Sequence, residues 1–532
     1  SSAPAHQNPT PDAEPTPNPE GQPDPETPAE RPAAPFQPTS SLTRRLSQDE
    51  YVHTIQDVLG IALDENERAL LPEDRPLAGF SRTASGQTTL PDHVLAYAQL
   101  ADSIVEKPNF SAFIDAHAPC TTTERRCGEG FVQAAGPLLF RRPLTEAEIA
   151  LFADLFETAA TENDFARSIR AVARAWLQSP PFLYLLEQES NADRTVTGYE
   201  MAARLSYGLW SSAPDAALYA AAAAGNLDTV EGVVAQAQRM LANTDKVRRG
   251  HGRFLTDWAR LASLPNTDGL RAELIDSAQA FYASHMAEGR PLFDVLTAPR
   301  AYLTPTLAEG WRLPSNGAGI QVYDTSGQEG RLGLLAQPGV VSGMTNADGG
   351  AIVARGLFLQ AQLFCSDPPD QPTSLQDLID EFVAEQPPNI SDRQIADIRL
   401  ERSTCGACHQ VFDPLAFGFE HFDFRGRYRT EDEHGNAIRT DGWIPGLLIG
   451  IEDQPYQRFE PYMKRLAEMT VVRRCLVQRQ LEYLIGRRLD KAQEAAVREL
   501  TATLEASAGR FDDLLLAAVA HPLFRTSGPH EE

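Results

Sequence analysis

Two cysteines and a histidine stand in the order Cys405-x-x-Cys408-His409, within the stretch CGACHQVFDPLAFGFEHFDFRGRYR. The chain has six cysteines in 532 residues. A chance match to this spacing is expected about once in 700 chains of such composition, so the motif is informative. Two thiols on one helical turn can add to the two vinyl groups of a haem. The adjacent imidazole then lies under the ring and ligates iron. That chemistry is covalent haem c attachment, with Cys405 and Cys408 as thioether donors and His409 as the proximal ligand. Other chemistries remain open to the same residues. A zinc knuckle would need adjacent Cys408 and His409 on one tetrahedral ion, and no second CxxC completes it. A redox dithiol wants a βαβ context, which the flanks lack. A Cys405–Cys408 disulfide would close a strained ring.

The sixth ligand decides what such a haem does. Met or His gives an electron-transfer centre, whereas an open position permits catalysis. Met463 and Met469 follow His409 at a distance that suits a small cytochrome, and His421, His434 and Met344 are further candidates. Phe412, Phe417, Phe419, Phe422 and Phe424 are dense enough to wall a haem face or to core a small module. Arg425, Arg427 and Arg429 suit either haem propionates or a solvated surface. Asp413–Pro414 reads as a turn away from the motif helix. Asp432, Asn436 and Asp441 lack the spacing of a calcium loop, and a hairpin turn at His434–Gly435–Asn436 is the better reading.

The other four cysteines divide into two pairs. Cys120 and Cys127 flank the short loop PCTTTERRC, and in an exported chain such a pair closes a disulfide of about 2–3 kcal/mol. Cys365 and Cys475 lie in expected helices on either side of the motif and are expected to tie the last module to it. The count is then two bridges and one haem.

The elements that must position these residues are mostly helices. SQDEYVHTIQDVLG has Ser47 and Glu50 in capping-box spacing, an apolar stripe of Val52, Ile55 and Leu59, and a stop at Gly60. Thr145 and Glu148 repeat the device. FARSIRAVARAWLQ ends at Pro180–Pro181. Further amphipathic helices are YEMAARLSYGLW, VEGVVAQAQRML, GHGRFLTDWARL, TVVRRCLVQRQLEYLIG and FDDLLLAAVA. The expected fold is mainly α. Several helical modules stand in series, with a small cytochrome-c-like CxxCH module and one short β-hairpin. Polar and Pro/Gly-rich punctuation divides the chain into a Pro-rich tether (1–40), an N-terminal helical module (41–108), a second module with a cysteine pair (109–190), a central helical domain (194–315), the CxxCH domain (330–450) and a C-terminal helical module (455–525).

Net charge is −26, which argues against nucleic acid as a partner. The local clusters Arg141–Arg142 and Arg473–Arg474 read as solvated helix faces. The first residue is Ser rather than Met, and residues 1–40 carry Pro and acid but almost no large apolar side chains. Such a segment cannot bury enough surface to offset its ordering entropy. It suits an extended tether of an exported, extracytoplasmic protein at the periplasm or cell surface. Membrane contact is then expected only through an N-terminal lipid anchor, since no apolar run reaches the roughly 18 residues of a membrane span.

With these residues in hand, the chain resembles large secreted proteins of planctomycetes and myxobacteria-like bacteria. These are built from a fixed series of domains of unknown function around a cytochrome-c-like CxxCH segment. The resemblance runs from about residue 42 to 525. It is carried by LTRRLSQDEYVHTIQDVLG, CGEGFVQAAGPLLFRRPLTEAEI, LQSPPFLYLLE with AARLSYGLWSSAPDAALYAAAAAGNL, RSTCGACHQVFDPLAFGFEHFDFRGRYR and CLVQRQLEYLIGRRL. Before the motif the family often has a threonine-serine-proline run, and here GMTNADGGAIVARG stands instead. The resemblance implies haem residues at Cys405, Cys408 and His409 and implies no reaction. Three functions stay open: an exported haem c electron carrier or electron-input module serving a redox partner protein, a haem-free scaffold binding a surface polymer, and a haem peroxidase or oxygenase. No G-x-S-x-G, H-E-x-x-H, P-loop or G-x-G-x-x-G competes.

Overall fold

The computed structural model describes residues 37–39, 43–74, 79–160, 164–264, 269–315, 317–345, 351–368, 374–387, 390–432 and 434–529. The expected tether lies outside these residues except at its end. There Gln493 Nε2 donates to the Gln37 carbonyl at 3.0 Å and the Gly528 amide to the Thr39 carbonyl at 2.6 Å, so residues 37–39 are docked on the C-terminal module.

The described residues are mainly helical, with short two-stranded antiparallel sheets. The helix Gln48–Leu59 starts at a complete capping box. Ser47 Oγ accepts from the Glu50 amide, and the Glu50 carboxylate accepts from the Ser47 amide at 2.9 Å. It ends on Gly60 in the left-handed conformation. Thr145 and Glu148 cap the helix Glu146–Ala159 in the same way. These starts and stops use neighbours three or four residues away, so they form wherever the sequence places them.

The modules in series share their cores. The strand Thr43–Arg45 pairs with Tyr184–Leu186 and closes the first two modules together. Their common core holds Tyr51, Tyr97, Phe131, Phe152 and Trp176, with Phe131 and Trp176 stacked at 5.5 Å. A second, larger core runs from the central domain through the residues around the motif to the C-terminal helices, with Phe254, Trp258, Phe358, Phe419 and Tyr483 in it. The strand Arg194–Thr195 pairs with Thr526–Ser527, so the chain end returns to the start of the central domain. Gly208 allows the helices Gly198–Trp210 and Thr470–Ile485 to touch. A Cβ there would sit 2.9 Å from Leu484 Cδ1 and 3.1 Å from its carbonyl oxygen. A third, small cluster of Ile352, Ala396, Ala416 and Phe417, flanked by Leu400 and Trp443, gathers residues of the motif domain.

One local reading is refined and one corrected. The hairpin at His434–Gly435–Asn436 is very short, with the Asp432 amide donating to the Asn436 carbonyl at 2.8 Å and the Ile438 amide to the Thr430 carbonyl at 3.2 Å. Asp432 Oδ1 accepts from the amides of His434 and Asn436 at 2.9 and 2.8 Å, and the Glu431–Ala437 bridge is the pairing formed across it among the described residues. The strand Gly442–Ile444 pairs with Gln454–Tyr456, in one of the four two-stranded sheets among the described residues. Arg141 is not on a solvated face. It is 4% exposed, and its guanidinium donates to the carbonyls of Phe182 and Tyr184 at 2.9 and 2.8 Å and to Tyr207 Oη at 3.0 Å. Its neighbour Arg142 pairs with Glu148, and Arg473 pairs with Glu505 while lying over the Phe293 ring.

Disulfides join Cys120 to Cys127 and Cys365 to Cys475, with Cα separations of 5.6 and 5.4 Å. The second closes a loop of 110 residues, the first one of 7. Loop entropy grows with the logarithm of loop length. Cys365→Ser with Cys475→Ser should therefore cost about 5 kcal/mol, against about 2–3 kcal/mol for Cys120→Ser with Cys127→Ser. Thermal midpoints of the two double variants check this order, and equal drops would show that loop entropy is not what these bridges supply. Among the described residues no helix is long and apolar enough to cross a membrane.

Candidate functional site

The motif sits on the short helix Ser403–His409, directly after the helix Asp392–Glu401. Arg402, in extended conformation, breaks the two apart. Gly406, between the two cysteines, lets the motif helix pack closely on the helix before it, because a Cβ there would run into the Leu400 carbonyl oxygen. Cys405 and Cys408 are half-buried thiols in no disulfide. The ring of His409 lies 4.8 Å from that of Phe412.

His409 has a carboxylate partner. Its Nδ1 stands 3.1 Å from Asp413 Oδ2. Asp413 is 0% exposed, and the same oxygen receives Arg399 Nη2 at 2.6 Å and Nε at 3.0 Å. Asp413 Oδ1 is buried without a hydrogen-bond partner. Asp413 and Pro414 thus do not simply turn the chain away. They open the helix Asp413–Ala416, with Pro in its first turn. With Nδ1 engaged, His409 Nε2 is the nitrogen left for a metal. Free thiols at Cys405 and Cys408 and an imidazole oriented by a second group match the donor set of covalent haem c. Among the described residues no group of three or more His, Cys, Asp or Glu side chains is arranged to hold a metal ion.

The remaining candidates are placed elsewhere. Met463 is fully buried in the larger core on the helix Phe459–Glu468, and Met469 lies half-buried at its margin. Met344 is also in that core. His421 stacks on Tyr428 at 5.1 Å, and its Nδ1 meets the Arg429 carbonyl; His434 Nε2 meets the Ile390 carbonyl. Phe417 belongs to the small cluster and Phe419 and Phe422 to the larger core, while Phe412 is buried and Phe424 is exposed. Arg427 is paired with Asp423, Arg429 with Glu420, and Arg425 lies over the Phe424 ring.

Sequence reasoning missed the buried ions that hold this domain. Arg355, on the helix Ala351–Leu363, is 0% exposed and donates to the carbonyls of Phe419, Phe422 and Asp423 at 3.2, 3.0 and 2.9 Å. Burial lowers its guanidinium to about 10, with Glu420, 3.6 Å away, opposing the shift. Burial likewise raises the Glu420 carboxyl, against the pull of Arg355 and Arg429. For Asp413 a signal existed, since it stands four residues after His409. For Arg355 and Arg399 none did.

Family models match five stretches in chain order. They are residues 44–108 (protein of unknown function, DUF1587), 127–187 (DUF1595), 196–312 (DUF1592), 331–432 (DUF1588) and 455–524 (DUF1585). The chain is five domains of unknown function in series. The DUF1588 domain contains Cys405, Cys408 and His409, and its family name, PSCyt3, points to cytochrome-like proteins. Arg355, Arg399, Asp413 and Glu420 all fall within it. The Cys365–Cys475 disulfide links the DUF1588 domain to the DUF1585 domain. No curated protein and no solved structure matches the chain. Away from the motif, a cavity of about 410 Å³ lies between Phe140–Pro143, Tyr184–Gln188 and Thr197–Arg204. Around it Arg142 pairs with Glu148, Arg204 with Glu187, and Arg194 with Glu200.

Proposed function

We propose that the DUF1588 domain is a covalent c-type haem module and that the protein is an extracytoplasmic electron carrier, or the electron-input module of a surface redox system. One observation carries the reading. Two free thiols share a helical turn with a histidine whose Nδ1 is held by a buried carboxylate, leaving Nε2 available. Cys405 and Cys408 would form the thioethers and His409 would bind iron. Bound haem would supply a one-electron iron couple. The residues around it do the rest. Arg399 and Asp413 fix the imidazole, and the half-buried position of the cysteines leaves the motif helix open to a partner. A net charge of −26 favours basic redox partners. Two disulfides support an oxidising location.

The test is a pyridine haemochrome spectrum on protein made with a cytochrome c maturation system. One covalent haem per chain is expected, and none in Cys405→Ala with Cys408→Ala. Wild-type chain without covalent haem would remove the reading in favour of a scaffold. A low-spin ferric spectrum with poor carbon monoxide binding is expected of a carrier. Rapid peroxide turnover, unchanged by Met463→Ala and Met469→Ala, would make the protein an enzyme instead.

A further inference from the structure

A buried carboxylate is expensive unless its lone pairs are used. Asp413 is fully buried, yet its three polar contacts converge on Oδ2, two from Arg399 and one with His409, while Oδ1 is left without a partner. A pair built only for stability would spread its donors over both oxygens in a fork. The convergence instead places the anionic oxygen beside the histidine ring. A neutral imidazole bonded through Nδ1 to a carboxylate oxygen carries its proton there and its lone pair on Nε2. Arg399 holds that carboxylate oxygen in place through both of its contacts. Phe412, 4.8 Å from the ring, limits its rotation.

We infer that Asp413 is a positioning residue for His409: with Arg399 it fixes the Nδ1–H tautomer, aims Nε2 away from the buried ion pair, and makes the imidazole a stronger electron donor to a metal. The inference rests on the haem reading above for its consequence, a ferric iron favoured over ferrous. The tautomer itself does not depend on haem.

Two measurements test it. In chain made without haem, ¹⁵N shifts of His409 should report protonated Nδ1 and unprotonated Nε2; the opposite tautomer would overturn the inference. In haem-loaded protein, Asp413→Asn should keep covalent haem and shift the ferrous-to-ferric ratio at fixed potential at least tenfold toward ferrous, a rise of about 59 mV for a one-electron couple. Should that variant fail to fold, Arg399→Gln leaves the carboxylate charge unbalanced and should move the potential the opposite way. Covalent haem with an unchanged potential in the variant that folds would overturn the inference while leaving the haem reading intact. A wild-type chain that takes no haem would remove the reading and leave the tautomer to be judged by the ¹⁵N shifts alone.

Discussion

Replacing Glu50 by Leu should cost about 3–5 kcal/mol, since it leaves buried arginines without their counter-charge. Glu50 is 1% exposed and its two oxygens are fully used. Arg44 makes a fork at 2.6 and 2.7 Å, Arg82 adds a contact at 2.7 Å, and the Ser47 amide donates at 2.9 Å. Arg82 also donates to the Tyr207 carbonyl at 2.6 Å and lies over the Tyr483 ring. Arg82, held by this carboxylate, therefore reaches from the DUF1587 domain to Tyr207 of the DUF1592 domain and Tyr483 of the DUF1585 domain. Glu50→Gln keeps the shape and should fall between wild type and Glu50→Leu in urea midpoint. A wild-type midpoint for Glu50→Leu would mean that water replaces the carboxylate.

The same site sets an acid limit. Burial alone would raise the Glu50 carboxyl, but Arg44 and Arg82 outweigh it and hold it at about 2, below its ordinary 4.5. The unfolded chain therefore takes up this proton first. The stabilisation is complete above pH 4.5 and is lost as pH falls toward 2. His251 adds to the loss at higher pH. Burial among Phe511 and Tyr483, with Arg82 near, pushes its imidazole from 6.5 down to about 3. Stability should thus begin to fall below pH 6.5. His251→Phe should flatten the upper part of that slope and Glu50→Gln the lower part. A wild-type profile level from pH 7 to 3 would contradict both assignments.

Arg355→Met should cost a similar 3–5 kcal/mol, with the loss centred on the DUF1588 domain. Three carbonyls lose their donor and Glu420 loses one of its two cations. Arg355→Lys should recover only part, because an ammonium cannot span three carbonyls from one planar fork. Hydrogen exchange should show the segment around Phe417–Asp423 opening first. Uniform loss of protection over the whole chain would show that Arg355 holds no separate unit.

What the sequence by itself determined is local. The Cys405–Cys408–His409 spacing, the Ser47–Glu50 and Thr145–Glu148 boxes and the stop at Gly60 each depend on residues within four positions of one another. Propensity and hydrogen-bond geometry decide them before any tertiary contact forms. The structure decided whatever depends on distant partners. Arg141 looked like a surface residue and became a buried staple because Phe182, Tyr184 and Tyr207 present acceptors around it. Trp443 pairs across to Pro455, a partner that only the packing of the chain around it supplies. Glu50 needed Arg82, Arg355 needed the carbonyls after Phe417, and Asp413 needed Arg399 from the helix Asp392–Glu401. A charged residue has no periodic signature that separates a solvated position from a buried, paired one. Its energy is set by the dielectric and the partners that folding assembles around it, and those are fixed only once the helices have packed.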